Sequence, residues 1–263
     1  MSALPKSIVW LASYPKSGNT WVRFLVCNLV FGPQESAAAL NELAPDIHEL
    51  GSLEPPATPL LVKTHFPFGP QLPLASQTAA AIYVVRHPAD VLLSNFHYAR
   101  RSGAVAADEP AAFDEFVAQF LEFRGDPRWI ALGMGRWDEN VGSWLAQPKE
   151  FPVLALRYED LLADAAGAAA RICVLLGLSR TEAEVAAAVA GASFERLRAI
   201  EEADIRAERT GIFFKPYLRQ TIESGRRFMR AGRAGEAATH LSAAQRQALT
   251  AAFGATLQAV GYA

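Results

Sequence analysis

Four short apolar runs alternate with amphipathic stretches along this chain. Continuous apolar runs of this length predict strands buried on both faces of a parallel sheet; they lie at Ile8–Ala12, Leu60–Lys63, Ala81–Arg86 and Val153–Arg157. Helical periodicity marks seven further segments: Thr20–Val30, Ala89–Arg100, Phe113–Phe123, Gly135–Ala146, Asp164–Leu176, Thr181–Ala190 and Ser242–Val260. Two stretches, Phe31–Pro59 and Arg101–Pro110, are predicted to be irregular.

Strands that alternate with helices predict right-handed crossovers between parallel strands. We therefore expect an α/β fold of three layers, in which helices flank a central, mostly parallel sheet. The 263 residues are compatible with one large domain, and a single domain over residues 1–263 is predicted. In such sheets ligands collect at the carboxyl ends of the strands.

The first apolar run leads into a loop that is suited to binding a phosphate. The sequence YPKSGNTW (14–21) places Pro, Lys and Gly between a strand and a helix, where backbone N–H groups and the helix dipole favour an anion. Lys16 adds a positive charge. The order of residues is not that of a Walker A motif, because Lys16 and Ser17 precede Gly18. The loop therefore predicts a relative of the P-loop NTPase fold and not an ordinary ATPase.

Two other predicted strands also end in residues that can act on anions or protons. Lys63 and His65 lie two residues apart at a strand end, so their side chains share one face. A neutral imidazole can take a proton near pH 7, and an ammonium can stabilise developing negative charge. A solvent-facing pair at a strand end is the alternative interpretation. Arg86 ends the third strand, and Ser94 follows it on the next helix. If that helix leans toward the strand end, both side chains can reach one phosphate.

Composition and charge narrow the function classes. The formal net charge is −2, which gives no support for nucleic-acid binding. A basic segment from Arg206 to Arg233 is interpreted either as solvated surface or as part of a binding site. Cys27 and Cys173 lie in apolar helical patterns and are expected to be buried thiols. No segment predicts a signal peptide or a membrane span, and a cytoplasmic location is expected.

Together these motifs resemble those of the cytosolic-type sulfotransferases, over about residues 7–242. YPKSGNTW is similar to the family's 5′-phosphosulfate loop, KTHFP (63–67) to its KTHxP motif, and RHPADVLLSNFHYAR (86–100) to its 3′-phosphate motif. The resemblance implies the donor 3′-phosphoadenosine 5′-phosphosulfate (PAPS), the product 3′-phosphoadenosine 5′-phosphate (PAP), and no metal. It also implies direct transfer of a sulfuryl group to a hydroxyl of a small-molecule acceptor.

The resemblance assigns roles to individual residues. His65 is the expected base, with Lys16, Lys63 and Ser94 completing the catalytic set. The residues expected to bind the donor are Lys16, Ser17, Gly18, Asn19, Thr20, Trp21, Arg86, Ser94, Tyr158, Ser193, Phe194, Met229, Arg230 and Gly232. Among these, Trp21 and Phe194 are expected to stack on adenine, and Tyr158 to hydrogen-bond it. Simple core packing is the alternative for Trp21 and Phe194.

The chain departs from the family pattern near its carboxyl terminus. The family's RKGxxGDWKNxFT is represented by RAGRAGEAATHLS (230–242), so Ala231 replaces a lysine and Arg233 is the nearest candidate to replace its charge. The missing Trp-Lys pair leaves open whether the protein is a monomer or a homodimer. Two other functions are kept as alternatives: a P-loop kinase of a small hydroxyl compound, and a non-catalytic nucleotide-binding relative.

Overall fold

The structure is a computed structural model that describes residues 7–50, 52–54, 59–105, 110–145 and 149–262. Four strands form one sheet: β1 (Ile8–Ser13), β2 (Leu60–Thr64), β3 (Thr78–Val85) and β4 (Val153–Arg157). All neighbouring strands are parallel, in the order β2-β1-β3-β4. The predicted strands are confirmed, with β3 beginning three residues earlier than expected. Thr78 belongs to it because it pairs with Ile8 of β1, and its hydroxyl also accepts the Trp10 indole N–H at 2.8 Å.

Helices surround the sheet. Those that correspond to the predicted segments are α1 (Asn19–Phe31), α3 (Pro88–Arg101), α4 (Pro110–Glu122), α6 (Trp137–Leu145), α8 (Ala165–Leu176), α9 (Glu182–Gly191) and α13 (Ala243–Ala259). Further helices of the described chain are α2 (Ala37–Leu43), α5 (Pro127–Ala131), α7 (Tyr158–Ala163), α10 (Phe194–Arg206), α11 (Arg219–Glu223) and α12 (Ala237–His240). No helix in the described ranges is long and apolar enough to cross a membrane.

The two faces of the sheet bury separate apolar cores. Successive β1 residues alternate between them: Trp10 packs with side chains of α3, α4, α6 and α13, whereas Leu11 packs with side chains of α1, α8, α9 and α10. The alternation follows from the period of two in a strand. Both faces are therefore covered, which confirms the three-layer architecture. Cys27 and Cys173 are buried free thiols, as expected.

The prediction of an irregular segment after α1 is wrong in two places. Residues 37–43 form α2, whose first backbone N–H is bound by the Asp204 carboxylate at 2.9 Å. Residues 45–47 then run beside the edge of β2, where Lys63 N–H donates to the Pro45 carbonyl at 2.8 Å and Ile47 N–H to the Lys63 carbonyl at 3.1 Å. Tertiary contacts, which local periodicity does not reveal, create both features.

Asn140 joins three elements beneath the carboxyl ends of the strands. Its fully buried amide accepts from the Tyr83 hydroxyl at 2.7 Å and donates to the carbonyls of His65 and Met134, both at 2.8 Å. Removing the amide leaves three polar groups without that partner: the Tyr83 hydroxyl and the Met134 carbonyl, which belong to buried residues, and the carbonyl of the partly buried His65. We expect Asn140→Ala to lower the free energy of unfolding by about 3 kcal/mol, as measured by urea denaturation.

Gly142→Ala on the same helix provides the control. A Cβ at this position meets no atom within 4 Å, so the better helix propensity of alanine is expected to raise stability by about 0.5–1 kcal/mol. A loss of less than 1 kcal/mol (about a third of the expected effect) in Asn140→Ala would contradict the bridging role.

Candidate active site

A cavity of about 440 Å³ lies at the carboxyl ends of the strands. The chain runs from β1 to β2 on one side of β1 and then crosses to β3 and β4 on the other side, so the strand order reverses beside β1, where the cavity lies. Crevices of this kind are the usual ligand sites of open parallel sheets. Lys16 after β1, Lys63 and His65 at the end of β2, and Arg86 after β3 all line it.

The loop between β1 and α1 turns sharply at two residues. Lys16 and Gly18 adopt left-handed conformations with φ of 70° and 100°. Gly18 is required by space as well, because a Cβ would lie 2.6 Å from the Tyr158 ring. Gly18, Asn19 and Thr20 at the start of α1 line the cavity, and the amino-terminal N–H groups of a helix favour an anion. Within the described residues the buried Ser17 hydroxyl has no hydrogen-bond partner.

Asn19 anchors this loop to the sheet. Its amide donates to the Leu11 carbonyl at 3.0 Å and to the Ser13 hydroxyl at 3.2 Å. Thr20 and Trp21 follow on the first turn of α1 and line the cavity. Asn19 thus reaches back toward β1, while its neighbours face the space where a ligand would bind.

The Lys16 ammonium lies between two aromatic rings. Its Nζ is 4.3 Å from the centroid of Tyr98 and 4.3 Å from that of Phe228, a distance at which ring quadrupoles attract a cation. Burial, reinforced by the charges of Arg101, Arg86 and Lys63, lowers the pKa of Lys16 to about 7. A bound anion would favour the charged form of Lys16 and raise this pKa.

His65 has one tautomer. Its Nδ1 lies 2.7 Å from the Ser13 carbonyl oxygen, which can only accept, so Nδ1 carries the proton and Nε2 keeps a lone pair. Burial, followed by the charge of Lys63, lowers the pKa of His65 well below 6.5. The ring is therefore a neutral proton acceptor at physiological pH.

Lys63 is paired with a residue that the sequence did not suggest. Its Nζ lies 2.7 Å from an oxygen of Asp46, which the segment beside β2 brings to the cavity. The next residue but one, His48, accepts the backbone N–H of His65 at 2.8 Å. Both residues fall in the segment that was predicted to be irregular, and no spacing in the sequence links them to Lys63 or His65.

Arg86 joins the loop between β1 and α1 to the carboxyl-terminal loop that contains Arg233. Its guanidinium lies 4.3 Å from the Tyr158 ring centroid and donates to the carbonyls of Lys16 at 3.4 Å and Arg233 at 3.0 Å. In the part of the chain that the structure describes, its buried Nε has no partner. Ser94 of α3 lines the same cavity.

Aromatic side chains close the other side of the cavity. Trp21 meets Tyr158 edge to face, with centroids 5.6 Å apart, and Phe194 lies against Gly232, where a Cβ would approach its ring to 2.3 Å. Ser193 does not join this group: it caps α10, accepting the Arg196 N–H at 3.2 Å. Met229, Arg230 and Gly232 complete the lining.

Two buried carboxylates hold the loop 228–236 in place. Asp90 on α3 accepts the N–H groups of Gly235 at 2.7 Å and Ala237 at 3.0 Å. Glu201, fully buried on α10, accepts those of Phe228 at 2.6 Å and Met229 at 2.9 Å. Much of the basic segment is ion-paired, as in Arg227 with Glu202 and Arg219 with Glu208. The sequence did not indicate this role of Glu201, because Glu202 and Asp204 on the same helix are also acidic and nothing distinguishes Glu201 from them.

Comparisons with known proteins give one consistent result. The family model described as "Sulfotransferase domain" matches residues 6–261. Human sulfotransferase 2B1 is 27% identical over 256 residues, which cover 93% of this chain and 64% of the relative. Cytosolic sulfotransferase 1 of Danio rerio is 26% identical over 264 residues, which cover 93% of this chain and 80% of the relative. The chain thus spans just under two thirds of the human relative.

Solved structures share the fold. Mouse sulfotransferase SULT7A1 complexed with PAP has a TM-score of 0.68 at 20% identity, covering 98% of this chain and 85% of that one. Retinol dehydratase in complex with androsterone and the inactive cofactor PAP has a TM-score of 0.72 at 21% identity, covering 97% and 82%. These likenesses extend over the whole sheet and its helical layers.

The requirement for glycine at position 18 can be tested by measuring protein stability, without an activity assay. We expect Gly18→Ala to lower the free energy of unfolding by about 2 kcal/mol or more, because a left-handed φ and a clash with Tyr158 coincide. Urea denaturation measures the change. Gly254→Ala in α13 is the matched control, since a Cβ there meets no atom within 4 Å. Equal stability of the two variants would show that the turn is not constrained.

Proposed function

The chain belongs to the sulfotransferase domain family, and on that premise we propose that it transfers a sulfuryl group from PAPS to a hydroxyl of a small-molecule acceptor. The observation that carries the proposal is the convergence of Lys16, His65 and Arg86 on one cavity from three neighbouring strand ends. One site thus contains a cation for the leaving group (Lys16), a neutral base (His65) and a cation for the second phosphate (Arg86). The PAP complexes of two structural neighbours support the choice of donor.

The proposal assigns one orientation to the donor in the cavity. The β1–α1 loop, with Lys16, Ser17 and the N–H groups of Gly18 to Thr20, binds the 5′-phosphosulfate. Arg86, Ser94 and Arg230 bind the 3′-phosphate. Gly232, which has no side chain, lets the loop 228–236 lie close to the Phe194 ring. Adenine lies between Trp21 and Phe194 beside Tyr158. Ser193 stays a predicted contact of the donor although its hydroxyl caps α10.

Transfer follows from the tautomer of His65. Its Nε2 accepts the proton of the acceptor hydroxyl as that oxygen attacks sulfur, and the bond from sulfur to the 5′-phosphate oxygen breaks in line. Lys16 neutralises the charge that develops on the departing oxygen, and the Ser13 carbonyl stabilises the imidazolium through Nδ1–H. Positioning and electrostatics supply most of the acceleration in such transfers. Asp46 offsets part of the Lys63 charge, so Lys16 provides the larger share.

The acceptor enters beside His65. Trp129, Leu132 and Met134 line this end of the cavity and suit an acceptor with an apolar body. Structural neighbours have been solved with androsterone and with retinol, which are consistent with an apolar alcohol. A cytoplasmic location remains part of the proposal and is supported by the name of the Danio rerio relative.

His65→Ala tests the reaction. We expect turnover of PAPS with a panel of phenols and apolar alcohols to fall by about 10²–10⁴-fold, the usual contribution of a general base. The PAP dissociation constant, measured by calorimetry, is expected to stay within about threefold, because the proposal assigns the nucleotide phosphates to Lys16, Arg86 and their neighbours and not to His65. His240→Ala, at an exposed position on α12, is the control and should change neither quantity.

The same assay separates the alternatives. Transfer from PAPS that is insensitive to EDTA supports the sulfotransferase, whereas EDTA-sensitive consumption of ATP would favour a kinase. Binding of PAP without transfer to any acceptor would favour a non-catalytic nucleotide-binding protein. Unchanged turnover in His65→Ala would remove this residue from the mechanism.

The low pKa of Lys16 predicts that PAP binding takes up a proton. With a pKa of about 7, Lys16 is mostly neutral at pH 8, and two phosphates beside it would raise that pKa and protonate it. We expect an uptake of up to about one proton at pH 8 and much less at pH 6. Calorimetry in HEPES and Tris, which differ in ionisation enthalpy, measures the number of protons.

Lys16→Arg isolates the contribution of Lys16. An arginine keeps its charge at all relevant pH values, so the variant should bind PAP with a smaller proton uptake at pH 8. An uptake equal to that of the unmodified protein would assign the proton to another group.

A further inference from the structure

The charges around Arg86 and Arg230 balance one another. Arg86 lies 3.8 Å from the Asp90 carboxylate, and Arg230 donates to Glu236 at 2.8 Å. Asp90 is at the same time fixed by the two N–H groups that it accepts from the loop 228–236. Two arginines and two carboxylates sum to zero, whereas a bound phosphate monoester carries a charge of about −1.5 to −2 at pH 7.

Arg233 is the additional cation at this end of the cavity. It lines the same cavity as Arg86 and Arg230, and its side chain is exposed. Among the residues that the structure describes, its guanidinium makes no hydrogen bond or ion pair. Its charge is nevertheless felt by Glu236, whose pKa is lowered first by the hydrogen bond from Arg230 and to a smaller degree by the charge of Arg233.

The backbone of Arg233 is fixed while its side chain is not. Its carbonyl accepts from the Arg86 guanidinium at 3.0 Å, and Asp90 binds the N–H of Gly235 two residues later. On the other side, Gly232 has φ of 62° and lies against Phe194. The guanidinium therefore starts from a fixed point beside Arg86, and ordering one side chain is the main cost of bringing it to a phosphate.

We propose that Arg233 binds the 3′-phosphate of the nucleotide and makes the protein selective for 3′-phosphorylated adenine nucleotides. The inference rests on the proposed function, because it assigns a selectivity to the same nucleotide site. Arg86 and Arg230 orient the phosphate but have carboxylate partners of their own. Arg233 supplies the net positive charge that the phosphate requires, through charge-assisted hydrogen bonds.

Two nucleotides that differ only at the 3′ position test this assignment. Calorimetry measures the dissociation constants of PAP and of adenosine 5′-phosphate (AMP), which has the same base and 5′-phosphate and no 3′-phosphate. We expect Arg233→Ala to weaken PAP binding by roughly 10- to 100-fold, as for the loss of a charged hydrogen bond, and AMP binding by less than about twofold. Arg233→Lys keeps the charge and should retain most of the selectivity.

Arg226→Ala is the matched control. Arg226 is an exposed arginine of the same basic segment that does not line the cavity, so its removal changes the net charge equally and should leave the ratio of PAP to AMP affinity unchanged. The PAP affinity of Arg233→Ala should also depend less on salt than that of the unmodified protein.

The outcomes separate this inference from the proposed function. Tight PAP binding whose ratio to AMP is the same in Arg233→Ala would overturn the role of Arg233 alone, as would an equal loss for both nucleotides. Failure of the unmodified protein to bind PAP would overturn the proposed function and the inference together. A selective loss of PAP binding in Arg233→Ala, absent in Arg226→Ala, supports the assignment.

Discussion

Mutual repulsion of positive side chains is the constraint that organises this cavity. Several lysines and arginines face one small volume, and burial makes each of them harder to keep charged. Carboxylates behind the cavity offset this repulsion: Asp46 binds Lys63, Asp90 lies beside Arg86, and Glu236 binds Arg230. Lys16 has no such carboxylate hydrogen-bonded to it among the described residues and is stabilised by aromatic rings instead. The pKa of Lys16 is therefore the one that an anion would change most.

The sheet topology brings these groups together with little help from local sequence. Parallel strands all end at one edge, and the order β2-β1-β3-β4 puts the Lys16 loop between the ends of β2 and β3. Buried carboxylates also hold the backbone of the carboxyl-terminal loop in place. Asp90 and Glu201 each accept two N–H groups from the carboxyl-terminal loop or from the helix that follows it. Asp90 thus fixes Gly235 and Ala237, which follow it by more than 140 positions in the sequence.

The sequence predicted the parts of this arrangement that depend on local patterns. Apolar runs identified all four strands, and the motifs around Lys16, His65 and Arg86 identified the edge of the sheet where the cavity lies. The sequence did not predict α2 or the pairing of residues 45–47 with β2, because long-range contacts stabilise them. Asp46 and His48 were missed for the same reason. Likewise, the alternation of charges at 230–236 gives no sign that Arg230 is neutralised while Arg233 is not.

The hydrogen bond from His65 Nδ1 to the Ser13 carbonyl has a consequence for where a captured proton can go. Nδ1 donates its proton to the Ser13 carbonyl, which is not a base that can take that proton away, and the backbone N–H of His65 is bound by His48. For the proposed reaction, the proton taken at Nε2 must leave from Nε2, along the path by which the acceptor came in. The imidazolium then loses this proton only when the product leaves and water enters. Slow product release would therefore also delay the return of His65 to its neutral form.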